Sequence, residues 1–425
     1  MSDYITNDDT VIFAPEFNKP LDLKLINKYK KLIFSNYILD NGLLDEYNNM
    51  FKFNKHLLCR YPYIMSKFNQ EVNNLPNSIT HLIFSYYFNQ KVDYLPNSLT
   101  YLTFDKYFNQ KVNNLPNSLI HLTFCNYFNQ KVNNLPNSIT HLIFGEYFDQ
   151  EVNNLPNSLT HLILNQNFNQ KVNNLPNSIT HLNLNLYFNQ EVNNLPNSLT
   201  HLTFGECFNQ EVNQLPNSLT HLTFGNYFDQ EVDNLPNSIT HLTFGKNFNQ
   251  KVNRLPNSLT DLNFDGIYFN QELNKLPNSL THLIFYGEFN QEIKQLTNSI
   301  THLSFYGCNF NQKVNLSCNV KYLELNCNSQ YLIDYLPNGI EELVLNYNFD
   351  LELNNLPTSI KKIIFFTCSR YNEELNCLPN FVELIQLPQY YNKKISKIPK
   401  ELKKLICCKN YKFIKDFNNL NVETY

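Results

Sequence analysis

The sequence predicts a mainly β repeat solenoid, in which each repeat of 20 residues forms one coil with one short parallel strand. Three observations lead to this prediction. A phenylalanine recurs every 20 residues from Phe68 to Phe248 and continues in steps of 20 or 21 to Phe310. The repeat is too short for a helical array, which needs about 30 residues or more for two antiparallel helices and their turns. The stretch before each phenylalanine alternates side chains in the manner of a strand with one buried face.

The strand and the turn of a repeat can be placed on residues 155–174, which read LPNSLTHLILNQNFNQKVNN. The HLIL stretch at 161–164 is the predicted strand; its first and third residues point outward and its second and fourth inward, because side chains alternate along a strand. The PNS stretch at 156–158 is the predicted turn, since proline fixes φ and Asn and Ser side chains bond nearby backbone. The residues expected to form the core of this coil are Leu155, Leu159, Leu162, Leu164, Phe168 and Val172.

A helical interpretation of the repeat has less support. Leu155, Leu159 and Leu162 also fit one helical face, but nearly every repeat carries a proline and several asparagines, which are unfavourable in helix interiors. A single coil buries too little apolar surface to offset the conformational entropy lost when its residues become ordered. The coils are therefore expected to stack as a parallel ladder with a rise of about 4.8 Å, each coil depending on its neighbours.

The repeat pattern divides the chain into three parts. Residues 68–315 hold the regular repeats of 20 or 21 residues. Residues 316–425 keep the apolar spacing but lose most of the signature, and are predicted to be degenerate repeats and a C-terminal cap. Residues 1–67 are predicted to be a divergent N-terminal cap with a degenerate repeat around the LIF stretch at 32–34, because a repeat array has to cover its open ends.

The repeat resembles two related families. Leu159, Leu162 and Leu164 occupy the apolar positions of the LxxLxL strand of leucine-rich repeats, and the whole unit of FNQ plus LPNSL resembles the FNIP repeat, found in slime moulds and giant viruses of amoebae. The resemblance is close over 68–315 and loose to about residue 407. It implies a leucine-rich-repeat-like right-handed coil and a protein-interaction array. It also implies that the chain is not an enzyme.

Two departures from these families bear on structure and function. Leucine-rich repeats place Asn, Cys or Thr three residues after the last strand leucine; here that position holds Asn167 or Cys207 in some repeats and Tyr in most others. The asparagine of the FNQ motif, such as Asn169, is the candidate for the same backbone-bonding role. Several FNIP proteins carry an N-terminal F-box, but residues 43–51 (LLDEYNNMF) are only the nearest helical pattern in this chain.

A column of histidines is the most unusual feature of the repeats. Ten of the 11 histidines occupy one repeat position, with Tyr101 and Asp261 as interruptions. Stacked rings are the favoured interpretation; metal binding is the alternative, although only Thr or Ile flanks each ring and a zinc site needs three or four ligands. Repulsion between stacked imidazoles predicts pKa values below the ordinary value of about 6.5. The column consists of His81, His121, His141, His161, His181, His201, His221, His241, His282 and His302.

Composition and motifs exclude several function classes. The net charge of -4 and pI of about 6.3 argue against broad nucleic-acid binding. No apolar run reaches the ~18 residues of a membrane span, and no signal peptide is visible. The 10 cysteines lack CxxC pairs, and Cys318 and Cys327 lack zinc-finger spacing, so free thiols in a reducing compartment are expected. We find no phosphate loop, GxSxG or HExxH motif, and expect no cofactor.

The function that the sequence predicts is a non-enzymatic scaffold that binds a protein partner on the concave strand face. The alternatives are a substrate-recognition subunit of a ubiquitin ligase and a passive structural rod. The predicted location is cytoplasmic (the host cytoplasm if the chain is viral), and no oligomeric state is predicted. The candidate binding residues are His141, Ile143, His161, Ile163, Asn165, His181, Asn183, Asn185, His201, Thr203, His221, Thr223, His241 and Thr243.

Overall fold

The computed structural model describes residues 3–35, 65–294, 296–307, 310–316 and 319–425. Within them the chain is a repeat solenoid with one short strand per coil, which confirms the predicted fold class. The chain divides into two compact units, unit 1 (Met1–Phe208) and unit 2 (Asn209–Tyr425). The helical pattern at 43–51, the segment of the sequence nearest to an F-box, lies outside the described residues.

Unit 1 builds its sheet almost entirely from parallel strands. The first two strands pair antiparallel, and each later strand pairs parallel with the one before it, so that equivalent repeat residues such as His161 and His181 lie side by side. A short helix, α1 (Leu23–Ile26), is capped by the Asp22 carboxylate. The strands are β1 (Tyr4–Thr6), β2 (Thr10–Phe13), β3 (Lys31–Phe34), β4 (His81–Ile83), β5 (Tyr101–Thr103), β6 (His121–Thr123), β7 (His141–Ile143), β8 (His161–Leu164), β9 (His181–Leu184) and β10 (His201–Phe204).

Unit 2 continues the same plan with parallel pairing between successive strands. It also contains helix α2 (Gln330–Asp334), capped by Ser329, and a 3-10 turn at Ile414–Phe417. The strands are β11 (His221–Thr223), β12 (His241–Phe244), β13 (Asp261–Phe264), β14 (His282–Tyr286), β15 (His302–Tyr306), β16 (Tyr322–Leu325), β17 (Glu342–Leu345), β18 (Lys362–Phe365), β19 (Leu384–Gln386), β20 (Lys404–Cys407) and β21 (Asn421–Thr424).

The coil at 155–174 shows how the sequence produces the local structure. Turns lie at 157–158 and at 166–167, and in each a backbone N–H closes the turn: Leu159 donates to Pro156 O at 3.1 Å and Phe168 to Asn165 O at 3.1 Å. In β8 the second and fourth residues are buried, whereas the first and third are only half-buried. The six residues predicted for the core of this coil are all buried.

A phenylalanine ladder runs through the core of each unit. The Phe168 ring lies between those of Phe148 and Phe188, with ring centroids 6.2 and 6.1 Å apart and nearly parallel planes. In many coils the end of the strand, or the residue just after it, contributes a second ring, as where Phe104, which follows β5, stacks on Phe108 at 3.7 Å. Each ring therefore completes its contacts with rings of neighbouring coils, so a coil depends on its neighbours for a complete core.

Side chains also bond the backbone of the next coil in two ladders. The Asn129 side-chain oxygen accepts hydrogen bonds from the Asp149 backbone N–H and the Gln150 side-chain amide, both at 3.0 Å. The Asn or Asp of the FNQ motif repeats this bond in coil after coil, as the sequence indicated. In the second ladder Ser178 Oγ donates to Leu159 O at 2.7 Å. These bonds hold the loop sides of successive coils in register.

The phenylalanine position becomes tyrosine near the C-terminus, and this predicts a pair of opposite stability effects. The Tyr371 hydroxyl is buried without a hydrogen-bond partner among the described residues, whereas the Tyr411 hydroxyl donates to Lys393 O at 2.9 Å. Tyr371→Phe should raise the free energy of unfolding by about 1 kcal/mol, and Tyr411→Phe should lower it by about 1 kcal/mol. Urea denaturation of both variants measures this; a loss of stability in Tyr371→Phe would contradict it.

Candidate functional site

The candidate site is the outward strand face, defined here as the first and third side chains of each strand. In β7 to β10 these side chains form two rows on a regular backbone, and they are half-buried while the residues between them are fully buried. The row formed by the third residue of each strand, called the third row below, varies between repeats: Ile143, Ile163, Asn183 and Thr203 occupy equivalent positions. All but two of the candidate binding residues named from the sequence lie on this face of β7 to β12.

The two exceptions, Asn165 and Asn185, lie just after their strands. The Asn165 amide donates to Phe144 O at 2.7 Å, and the Asn185 amide donates to the Asn165 side-chain oxygen. Their polar groups therefore serve contacts between coils.

The first row is the histidine column, and its rings stack. Successive ring centroids from His121 to His201 lie 4.2–4.3 Å apart, and the same spacing joins His221 to His241 in unit 2. Tyr101 keeps the stack going, with its centroid 5.5 Å from that of His81 and 5.6 Å from that of His121. The expected ring-stacked column is confirmed.

A threonine precedes every histidine of the column except His121, which follows Ile120, and its hydroxyl orients the ring. Thr160 Oγ1 donates to Thr140 O at 3.0 Å and lies 2.8 Å from His161 Nδ1. Because a hydroxyl has one proton, the tautomer of His161 decides whether the Thr160 hydroxyl donates to Nδ1 or accepts from it. The same threonine arrangement recurs at His181, His201, His241 and His282.

Burial lowers the pKa of several histidines of the column, His81, His121, His141, His161 and His302. Burial lowers the pKa of His141 to about 4, and repulsion from His121 and His181 adds to the effect. Burial is also the main cause that lowers the pKa of His81 to about 4. It is the main cause of the lowered pKa of His161 as well. The sequence predicted the direction of these shifts from repulsion alone, but desolvation of the ring is the larger cause.

Asp261 connects the column across its second interruption. Its carboxylate oxygens lie 3.4 Å from His241 Nε2 and 3.3 Å from His282 Nδ1, and one of them accepts a 2.6 Å hydrogen bond from Thr260. Within the described residues no group of three or more His, Cys, Asp or Glu side chains is arranged to hold a metal ion. The cysteines described are all free thiols.

A second exposed surface, the tyrosine strip of unit 1, lies on the loops after the strands. It comprises Tyr87, Tyr107, Tyr127 and Tyr147, whose rings stack in parallel at 4.9–5.4 Å. All four rings remain substantially exposed despite this stacking. Tyrosine is common at protein interfaces, because its ring is apolar and its hydroxyl is polar.

Sequence reasoning missed a polar cluster centred on Glu324, in the third row of β16. Its Oε2 accepts hydrogen bonds from Tyr322 at 3.2 Å and Ser304 at 3.4 Å, and its Oε1 accepts one from Asn346 at 3.1 Å. The signal available in the sequence was a carboxylate at a strand position that carries only Ile, Thr, Asn or Ser from β4 to β15. It lies among degenerate repeats, where no column draws attention to it.

The family is decided by the repeat itself. The family model for the FNIP Repeat matches at twelve places, eleven of them overlapping along residues 68–297 and one at 328–368, which together are more than half of the chain. The chain belongs to the FNIP repeat family. No curated protein matches this FNIP chain significantly.

Two solved structures resemble the FNIP chain to different degrees. The crystal structure of CroV588, a circular LRR protein, is 42% identical with a TM-score of 0.76, and the match covers 94% of this chain and 62% of that one. YopM from Yersinia enterocolitica is 17% identical with a TM-score of 0.44, covering 86% and 85% of the two chains. The FNIP chain thus spans 62% of the length of CroV588. None of the helices in its described parts is long and apolar enough to cross a membrane.

Proposed function

We propose that this FNIP chain is a non-enzymatic scaffold that binds a protein partner on its outward strand face. The observation that carries the proposal is the face itself: accessible side chains of varied type stand at fixed positions on a hydrogen-bonded backbone. Such a surface loses little conformational entropy on binding, because its backbone is already ordered. Repeat arrays commonly use extended surfaces of this kind to hold partners.

The chemistry of the face suits a neutral protein surface. At neutral pH the His141 and His161 rings are uncharged, since their pKa values are lowered, and a neutral imidazole offers one nitrogen that donates and one that accepts a hydrogen bond. The third row beside it mixes apolar and polar side chains, such as Ile163 and Asn183. This combination provides both apolar contact and hydrogen bonding, as protein interfaces do.

A matched pair of variants tests the proposal. Ile163→Glu places a charge in the middle of the face, and Lys171→Glu places the same carboxylate on an exposed loop of the same coil, where other repeats already carry Glu. In affinity purification, Ile163→Glu should reduce recovery of the bound partner at least tenfold, because a buried unpaired charge is costly at an interface. Lys171→Glu should leave recovery unchanged.

The same experiment separates the alternatives. A passive rod shows no partner that responds to Ile163→Glu. If the chain is a ubiquitin-ligase subunit, ligase components are purified together with it. Deletion of residues 1–67 then removes these components and leaves the bound substrate. Recovery that is equal for Ile163→Glu, Lys171→Glu and the parent chain would overturn the proposed use of the strand face. Circular dichroism of each variant checks that the coil is still folded.

A further inference from the structure

We propose that Glu324 and the tyrosines around it form a site on unit 2 that takes a lysine side chain of a protein partner. The inference rests on the proposed protein-binding function and locates one point of contact for it. Glu324 lies on β16 and is half-buried, and the Tyr322 ring beside it stacks on His302, the last histidine of the column, at 5.5 Å. The site is therefore continuous with the outward strand face.

Among the residues of unit 2 that the structure describes, Glu324 lacks the basic partner that other strand carboxylates have. Within the described residues its contacts are neutral donors: two hydroxyls and one amide. The other acidic residues on these strands are each beside a basic or imidazole group. The pairs are Asp261 with His241 and His282, Glu342 with Lys362, and Glu423 with Lys404.

The negative charge of Glu324 affects the neighbouring Tyr322. Burial, and next the negative charge of Glu324, raise the pKa of Tyr322 well above its ordinary value. A partly buried carboxylate without a counter-ion creates a potential that favours a cation. Complementary charge from a partner would complete the site.

The number of free acceptor positions favours lysine over arginine. A carboxylate oxygen accepts about two hydrogen bonds. Oε2 of Glu324 already accepts from Ser304 and Tyr322, while Oε1 accepts only from Asn346. A bidentate arginine fork needs a free position on both oxygens, whereas an ammonium group needs one. Lysine, a compact point charge, fits the single position on Oε1.

The charge of Glu324 reaches two further tyrosines: burial raises the pKa of Tyr286 and a hydrogen bond to Tyr306 raises that of Tyr347, and Glu324 adds to both effects. The hydroxyls of Tyr306 and Tyr347 lie 3.5 Å apart, and the Tyr286 and Tyr306 ring centroids lie 4.8 Å apart. Tyr347 is 42% exposed, so its ring is reachable from solvent. Its backbone N–H donates to the Asn346 side-chain oxygen at 3.1 Å, which turns the Asn346 amide toward Glu324. Cations are attracted to the faces of such rings, and the aliphatic stem of lysine packs against them.

The test uses the full chain and three small probes: Nα-acetyl-lysine amide, Nα-acetyl-arginine amide and Nα-acetyl-norleucine amide. Binding is followed by the NMR shifts of labelled tyrosine rings, with Tyr306→Phe and Tyr347→Phe assigning the signals. The lysine probe should shift the Tyr306 and Tyr347 signals, the arginine probe should bind several-fold more weakly, and norleucine should not bind. Equal binding of arginine, or binding of norleucine, would overturn the inference.

Variants assign the binding to the carboxylate. Glu324→Gln should weaken lysine binding about tenfold, because a charge-assisted hydrogen bond is lost. Glu342→Gln, which removes a carboxylate already paired with Lys362, should leave binding unchanged. Tyr347→Leu at the exposed ring should weaken it about threefold, and tests the site even if Glu324→Gln fails to fold. Lysine binding that is equal in the parent chain, Glu324→Gln and Tyr347→Leu would sink the proposal.

The outcome is separate from that of the proposed function. The probes need no partner, and Ile163 lies in unit 1, far along the sequence from Glu324. A partner lost with Ile163→Glu but no lysine binding at Glu324 would remove this site and keep the scaffold role. Lysine binding at Glu324 without any partner on the strand face would keep this site and remove the scaffold role.

Discussion

Phe168→Ala should lower the free energy of unfolding by about 3–5 kcal/mol, the cost of a large-to-small change in a well-packed core. Phe168 is fully buried, and its ring is stacked between two others at 6.1–6.2 Å. The cavity cannot collapse easily, because the backbone on both sides is held by the asparagine ladder. Asn169 N donates to the Asp149 side chain at 3.0 Å, and Asn189 N donates to the Asn169 side chain at 2.9 Å.

The matched control is Tyr187→Ala, an aromatic-to-alanine change in the next coil. Tyr187 is 51% exposed, so this variant should lose less than about 1 kcal/mol. Urea denaturation gives the comparison, and amide hydrogen exchange locates the loss, since a long repeat array need not unfold in one step. Protection should fall in the coil of Phe168 and in its two neighbours. A cost for Phe168→Ala no larger than that of Tyr187→Ala would mean that the ring does not anchor the coil.

The fold was predictable because the repeat places the same residue in the same surroundings many times. Leu162 has an equivalent every 20 or 21 residues, and each is buried for the same reason, so one coil explains the others. The asparagine ladder was predictable for the same reason, since the FNQ motif recurs. Tyr371 shows the limit: the sequence indicates a core aromatic, but only the packing shows that its hydroxyl lacks a partner.

The candidate site was only partly predictable. The sequence placed the histidine column correctly, because a strict period fixes which face a residue occupies. It could not tell that Asn165 points its amide at the neighbouring coil, since variation between repeats does not reveal side-chain direction. Glu324 was missed because its environment is built from residues of three coils whose pattern has degenerated. The hydrogen-bonding environment of that carboxylate is set by residues of neighbouring coils and not by the local sequence.

Acidification should destabilise unit 1 between about pH 6.5 and pH 4. The folded pKa of His81 and His141 is about 4, below the value of about 6.5 expected in the unfolded chain. The unfolded chain therefore binds more protons in this window, and stability rises with pH. The contribution is fully present above about pH 6.5 and is lost as the pH falls toward the folded value. Urea midpoints at pH 8 and pH 5 measure the difference.

A double variant, His141→Tyr with His161→Tyr, tests whether the column is responsible. Tyrosine already occupies this position at Tyr101 and stacks on its neighbours there. The variant should keep its stability at pH 8 and lose less than the parent chain at pH 5, because two titrating rings are gone. An identical loss in both proteins would place the acid sensitivity elsewhere.

Salt separates the two causes of the shifts. Repulsion between charged rings is screened strongly in 1 M NaCl, where the Debye length is about 3 Å, whereas the desolvation of a buried ring is not. Since burial is the larger cause for His141 and His161, 1 M NaCl should restore only a minor part of the stability lost at pH 5. Full restoration by salt would show that repulsion along the stack dominates, and that the rings are better solvated than their packing indicates.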